Sequence, residues 1–180
     1  MISFLSNLTS IGQLSGQADV LVAARFSFSR IANAGVVWAA LSVASAYAAR
    51  TAWSAVWWGT VTPLLALLVH YGAGEVTGAL GGATWRGKNM MWLAAAVVLG
   101  APLGLVGYVA RRPTTAGLLA ALVVPAGAVL QPLLLGTLGW DPIVPWPSAL
   151  ANVVSSIVLV VGGVVGICVV AQMRLHRVHI

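Results

Sequence analysis

The sequence predicts an all-α fold: a polytopic transmembrane helical bundle of about five spans, with six left open, joined by short loops. Three observations predict it. Long apolar runs recur along the chain, 60% of its 180 residues are hydrophobic against 7% charged, and the nine lysines and arginines stand singly or in pairs at the ends of those runs. Ordinary soluble domains carry about 25% charged residues, whereas a lipid-facing exterior can be as apolar as the interior. The lipid bilayer is therefore the first partner, and the expected location is a cell membrane crossed several times.

The net charge of +6 is too scattered to make a phosphate-binding patch. It reads as membrane anchoring, and nucleic acid is not an expected partner. Cys168, the single cysteine, excludes an internal disulfide and cysteine-held zinc or iron–sulfur sites. It is expected as a small buried hydrophobe. No metal ligand set and no cofactor motif is found.

The clearest element is a hairpin. Residues 89–110 and 114–138 are apolar runs of about 22 to 25 residues, long enough at about 1.5 Å per residue to cross about 30 Å of hydrocarbon. Only Arg111, Arg112 and Pro113 join them, which leaves a tight turn at a membrane surface.

Taken in order, residues 1–30 are expected as an interfacial segment. Ile2, Leu5, Leu8, Ile11 and Leu14 recur every third residue, a stripe that slips around an α-helix. Arg25, Phe26, Phe28 and Arg30 then suit a headgroup layer. Residues 31–172 are the transmembrane domain. Its first span, 31–49, has Gly35 and Ala39 four apart and is expected to be an inner helix. The second, 52–72, opens with Trp53, Trp57 and Trp58, which place one membrane interface there. It loosens into a glycine-rich stretch before Trp85, Arg86 and Lys88.

The third span, 89–110, carries Gly100 and Gly104, whose spacing gives a flat face for close helix packing. The fourth, 114–138, carries Pro125 and Pro132, each removing a helical hydrogen bond near Ala121 and Ala128. Residues 139–148 hold Trp140, Asp141, Pro142, Pro145, Trp146 and Pro147 and read as an interfacial cap. The fifth span, 149–172, pairs Gly162 with Gly166, and residues 173–180 form a basic tail. Five spans put Arg50, Arg111, Arg112, Arg174 and Arg177 on one side, and Arg25, Arg30, Arg86 and Lys88 on the other. The fuller side is expected inside, with the N-terminus outside.

Ile31-Ala32-Asn33-Ala34-Gly35 followed by Trp38, then Tyr71, Gly100-Ala101-Pro102-Leu103-Gly104 and the Arg111-Arg112 turn carry a resemblance over residues 30–138. The sequence resembles a family of small polytopic integral membrane proteins of high-GC Gram-positive bacteria with no established function. The resemblance implies a bacterial multi-pass protein and supplies no reaction, ligand or catalytic residue.

Ionisable and polar groups inside spans are the functional candidates. His70, Tyr71 and Glu75 lie near the end of the second span, with Glu75 expected in the interface. Asp141 is expected as a turn residue before Pro142. Gln131 and Asn152, the latter with Ser155 and Ser156, are expected to pair across the fourth and fifth spans. With Trp140 these residues form a polar cluster at one membrane face. Three readings follow. The first is a pocket between the second, fourth and fifth spans that binds or moves an apolar small molecule or lipid. The second is an intramembrane enzyme such as a terpenoid cyclase, with Glu75 or Asp141 as proton donor. The third is an assembly subunit, joined to a second copy or another chain through the glycine faces. The first is preferred over an enzyme.

Overall fold

The computed structural model describes residues 19–76 and 88–178, and among them every regular element is an α-helix. These are α1 (Asp19–Ala32), α2 (Gly35–Tyr47), α3 (Ala52–Val76), α4 (Lys88–Ala110), α5 (Thr115–Leu134) and α6 (Trp146–Val178). Helices α3 to α6 each contain a stretch long and apolar enough to cross a membrane, and α1 with α2 passes the same test as one span bent by 44°. This is a multi-pass membrane protein of four spans, or five with the bent pair. Its outer surface agrees: Val158, Val161 and Val165 of α6 and Leu130, Leu133 and Leu134 of α5 all face outward.

Helix α2 is the inner one, packed against α3, α4 and α5; α3 pairs with α4, α4 with α5, and α5 with α6. Small residues rather than large ones make these contacts. Ala46, Ala49 and Ala55 form a buried cluster with Tyr108 against it. A Cβ on Gly100 would lie 2.6 Å from Thr60 Cα, one on Gly59 would lie 2.5 Å from Gly104 Cα, and one on Gly104 would strike the Ala55 carbonyl. Backbone therefore meets backbone along the α3–α4 seam, as the glycine spacing predicts. Because this chain's own α3 covers Gly100 and Gly104, that face is not open to another subunit.

On α6 the close-packed pair is Gly163 and Gly166, not Gly162 and Gly166. A Cβ on Gly163 would lie 2.6 Å from the Pro125 carbonyl oxygen and one on Gly166 2.9 Å from Pro125 Cβ, whereas Gly162 has nothing within 4 Å. Pro125 of α5 is what both glycines meet. Cys168 is also exposed on α6, facing the lipid side instead of being buried.

Local chemistry accounts for the helix ends. Thr51 and Ser54 exchange backbone-to-side-chain hydrogen bonds of 3.2 and 3.1 Å at the start of α3, a reciprocal cap. Thr114 caps α5 by accepting from Gly117 N at 3.2 Å, which closes the Arg111–Pro113 turn. Helix α5 stops short of the predicted residue 138. Gly136 turns to φ +65°, and the N–H groups of Gly136 and Thr137 reach back to Leu133 and Pro132, a Schellman ending that satisfies the last carbonyls.

A helix precedes the first predicted span. The helix starts at Asp19, inside the stretch predicted to be interfacial, and buries Val22, Ala23 and Ser27 where α1 packs on α6. It breaks at Asn33–Ala34, where Ala34 has no side-chain oxygen to cap α2. Two polar ties hold α1 to the start of α6: the Trp146 indole N–H donates to Asp19 at 3.2 Å, and the Arg30 guanidinium donates to the Ser148 carbonyl. Residues 1–18 and the glycine-rich stretch with Trp85 and Arg86 lie outside the described residues.

Candidate functional site

Two adjoining cavities lie among α2, α3 and α4. The deeper one, about 120 Å³, is walled by Gly35, Ala39 and Ser42 of α2, Pro63 and Leu67 of α3, and Ala96 and Gly100 of α4, together with Trp38 and Trp92. Its neighbour, about 230 Å³, is lined by Asn33, His70, Tyr71 and Asn89 and shares Trp38, Leu67 and Trp92 with the first. The shared walls make one cleft, apolar at its deep end and polar at its outer end. Trp92 and Leu99 are exposed at the rim, so the cleft opens sideways into the surrounding lipid.

The sequence explains why space exists here. Gly35 and Ala39 give α2 a face without bulk, and α4 answers with Ala95, Ala96 and Gly100. The prediction that Gly35 and Ala39 would let another backbone approach is replaced by this finding: a Cβ on Gly35 would meet only Gln131 Oε1, at an ordinary 3.7 Å. Proline at position 63 sits within the continuous helix α3 and is buried against the cleft. At the outer end Tyr71, 4% exposed, directs its hydroxyl to the Asn89 carbonyl at 3.4 Å. The His70 ring stands edge-on to the Tyr71 ring with centroids 5.5 Å apart.

The predicted candidates separate into those the fold brings together and those it does not. His70 and Tyr71 line the cleft. Glu75 is exposed on the last turn of α3, and Trp140 and Asp141 are exposed in the α5–α6 connection. Asp141 accepts from Ile143 N at 2.9 Å, the turn role expected of it. Gln131 does not pair with α6. Its Oε1 accepts from Val36 N at 2.9 Å, while Ser156 pairs with Thr137 at 2.8 Å and the Asn152 carbonyl accepts from Ser155. The cleft therefore lies among α2, α3 and α4, not among the second, fourth and fifth predicted spans, because α3 packs on α2 and α4 and not on α5 or α6.

No family matches this chain, and no curated protein or solved structure matches it. The reading of the site rests on its own geometry. Asn33, Trp38, Asn89 and Trp92 are amide or indole lining residues that sequence reasoning did not single out as candidates. Asn33 and Trp38 had a signal of a kind, since they stand beside the break in a Gly- and Ala-rich span. Asn89 and Trp92 had none beyond membership of an ordinary helix start.

Proposed function

We propose that the protein binds a slender amphiphile, a lipid or small molecule with an apolar portion and a polar end, in the cleft among α2, α3 and α4 of a bacterial cell membrane. The observation that carries this reading is the polarity gradient along one continuous wall, from Pro63, Leu67 and Gly100 outward to Asn33, His70, Tyr71 and Asn89. An apolar cavity of about 150 Å³ holds a benzene-sized group, so a deep chamber of about 120 Å³ suits the narrow end of a chain or an isoprenoid unit. The polar end would then meet the asparagine, histidine and tyrosine groups near the membrane face.

Binding is favoured over the cyclase reading because Glu75 and Asp141, the proton donors that reading relies on, do not line the cleft. Kinship with the small polytopic family is part of the same proposal. Asn33, Gly35, Trp38, Tyr71, Gly100 and Leu103, all within the segments that carry the resemblance, are cleft residues.

The test is identification of small molecules that stay with the purified protein, by native mass spectrometry and organic extraction. Wild type is expected to retain a discrete amphiphile that Ala96→Phe, which fills the deep chamber, loses. The same profile from both proteins would remove the reading.

A further inference from the structure

The geometry points to a second binding site at the opposite end of the bundle, for the phosphate headgroup of an anionic phospholipid. Here the α4–α5 turn, the α2–α3 turn and the last turns of α6 come together. Arg174 reaches across from α6 and donates to the Arg112 carbonyl at 2.7 Å and the Ala110 carbonyl at 2.9 Å. This fixes it against the end of α4, where helix carbonyls attract a cation. Arg111 and Arg112 both lie on the Tyr108 ring, with Cζ atoms 4.4 and 5.0 Å from its centroid. Three guanidiniums are thus gathered around one corner.

That corner has positive charge and no side-chain carboxylate. The chain's three acids are Asp19, Glu75 and Asp141, and all lie towards the other end: Asp19 and Asp141 beside the start of α6, Glu75 on the last turn of α3. Guanidiniums crowded on one ring repel one another, an anion shared between them relieves that repulsion, and phosphate is an acceptor that matches arginine's parallel N–H donors.

Beside the arginines lies a groove of about 270 Å³, lined by Val43 and Tyr47 of α2, Ala110, Ala121 of α5, and Val170 and Arg174 of α6. Its volume is below that of a pocket enclosing a whole drug-sized ligand, as expected if it takes part of an acyl chain while the rest lies in the bilayer. Arginine at the mouth and valine along the wall match the two halves of a phospholipid. Basic pockets between spans that hold anionic headgroups are built this way.

The test uses the full chain in mild detergent. Thermal stability is followed with added phosphatidylglycerol, phosphatidylcholine or inorganic phosphate, and wild type is compared with Arg111→Gln/Arg112→Gln, which keeps the Arg174 bonds to backbone. Phosphatidylglycerol is expected to stabilise wild type at lower concentration than phosphatidylcholine. The double variant should weaken that response about 25-fold, at about five-fold per arginine. Ala96→Phe should leave it unchanged, so the result is independent of the α2–α4 cleft. A second measurement needs no variant: wild type extracted from mixed membranes should carry phosphatidylglycerol above its share of the bilayer. Equal stabilisation by both lipids, a response reproduced by inorganic phosphate, or retained lipid that mirrors the bulk membrane would each overturn the proposal.

Discussion

The side-chain oxygen of Gln131 on α5 accepts the backbone N–H of Val36 at 2.9 Å, and so caps from outside a helix whose own N-cap residue, Ala34, has nothing to offer. The break between α1 and α2 leaves the first backbone N–H groups of α2 without intrahelical acceptors. One amide from a neighbouring helix thus makes the bent first span tolerable.

Removing that oxygen should therefore destabilise the fold. Gln131→Met keeps the length of the side chain and its packing but leaves Val36 N–H unmatched, at a cost of about 1–3 kcal/mol. Thermal unfolding in detergent should show a lowered midpoint. An unchanged midpoint would mean that the break is solvated by some other group.

The glycines offer a sharper contrast. Gly59→Val would push a side chain into the Gly104 backbone, where a Cβ alone is already 2.5 Å away. Backbone cannot yield as a rotamer can, so a loss of about 1–3 kcal/mol or more is expected. Gly162 has open space around its Cβ position, and Gly162→Ala should be neutral or gain up to about 1 kcal/mol from helix propensity. Paired unfolding measurements decide whether small residues act by seam geometry or merely by composition.

How legible all this was depended on what kind of signal each feature leaves. Helix α4 was readable almost to the residue because Lys88 and Arg111 bracket an unbroken apolar run. The grouping of Arg111, Arg112 and Arg174 on one side followed from counting spans, and the Arg174 hydrogen bonds bear it out. The end of α5 was not readable, since Leu133, Leu134, Leu135 and Leu138 continue the apolar pattern past a turn made by one glycine's φ. The start of α1 was hidden for the opposite reason: Asp19, Arg25 and Arg30 interrupt the hydropathy, yet two of them are tied to the start of α6. Helix pairing was least legible. Apolar faces in lipid carry no label for their partner: the sequence points to a pocket between the second, fourth and fifth spans, whereas the cleft that holds His70 and Tyr71 lies among α2, α3 and α4.

The outer end of the cleft makes a prediction about ligand chemistry. Tyr71→Phe keeps the buried ring and removes only the hydroxyl that meets Asn89 O at 3.4 Å, so stability should move by less than about 1 kcal/mol. Binding should respond selectively. A chain ending in an alcohol should lose about five-fold in affinity relative to a hydrocarbon of equal length. Equal loss for both probes would show that the polar end plays no part in recognition.

The bent pair α1 and α2 makes the last prediction, which concerns topology. If the two helices form one crossing, the start of α1 lies on the same side as the α5–α6 connection, as the Trp146–Asp19 hydrogen bond requires. In a Cys168→Ala background, a membrane-impermeant maleimide should label Val20→Cys and Asp141→Cys from one side, and Thr51→Cys and Arg112→Cys from the other. Val20 and Arg112 are both exposed, so either outcome is readable. Should Val20→Cys label together with Arg112→Cys, the pair re-enters instead of crossing. The α1–α6 packing would then have to be abandoned, because no helix of this length can be tied to Trp146 and emerge at the far face.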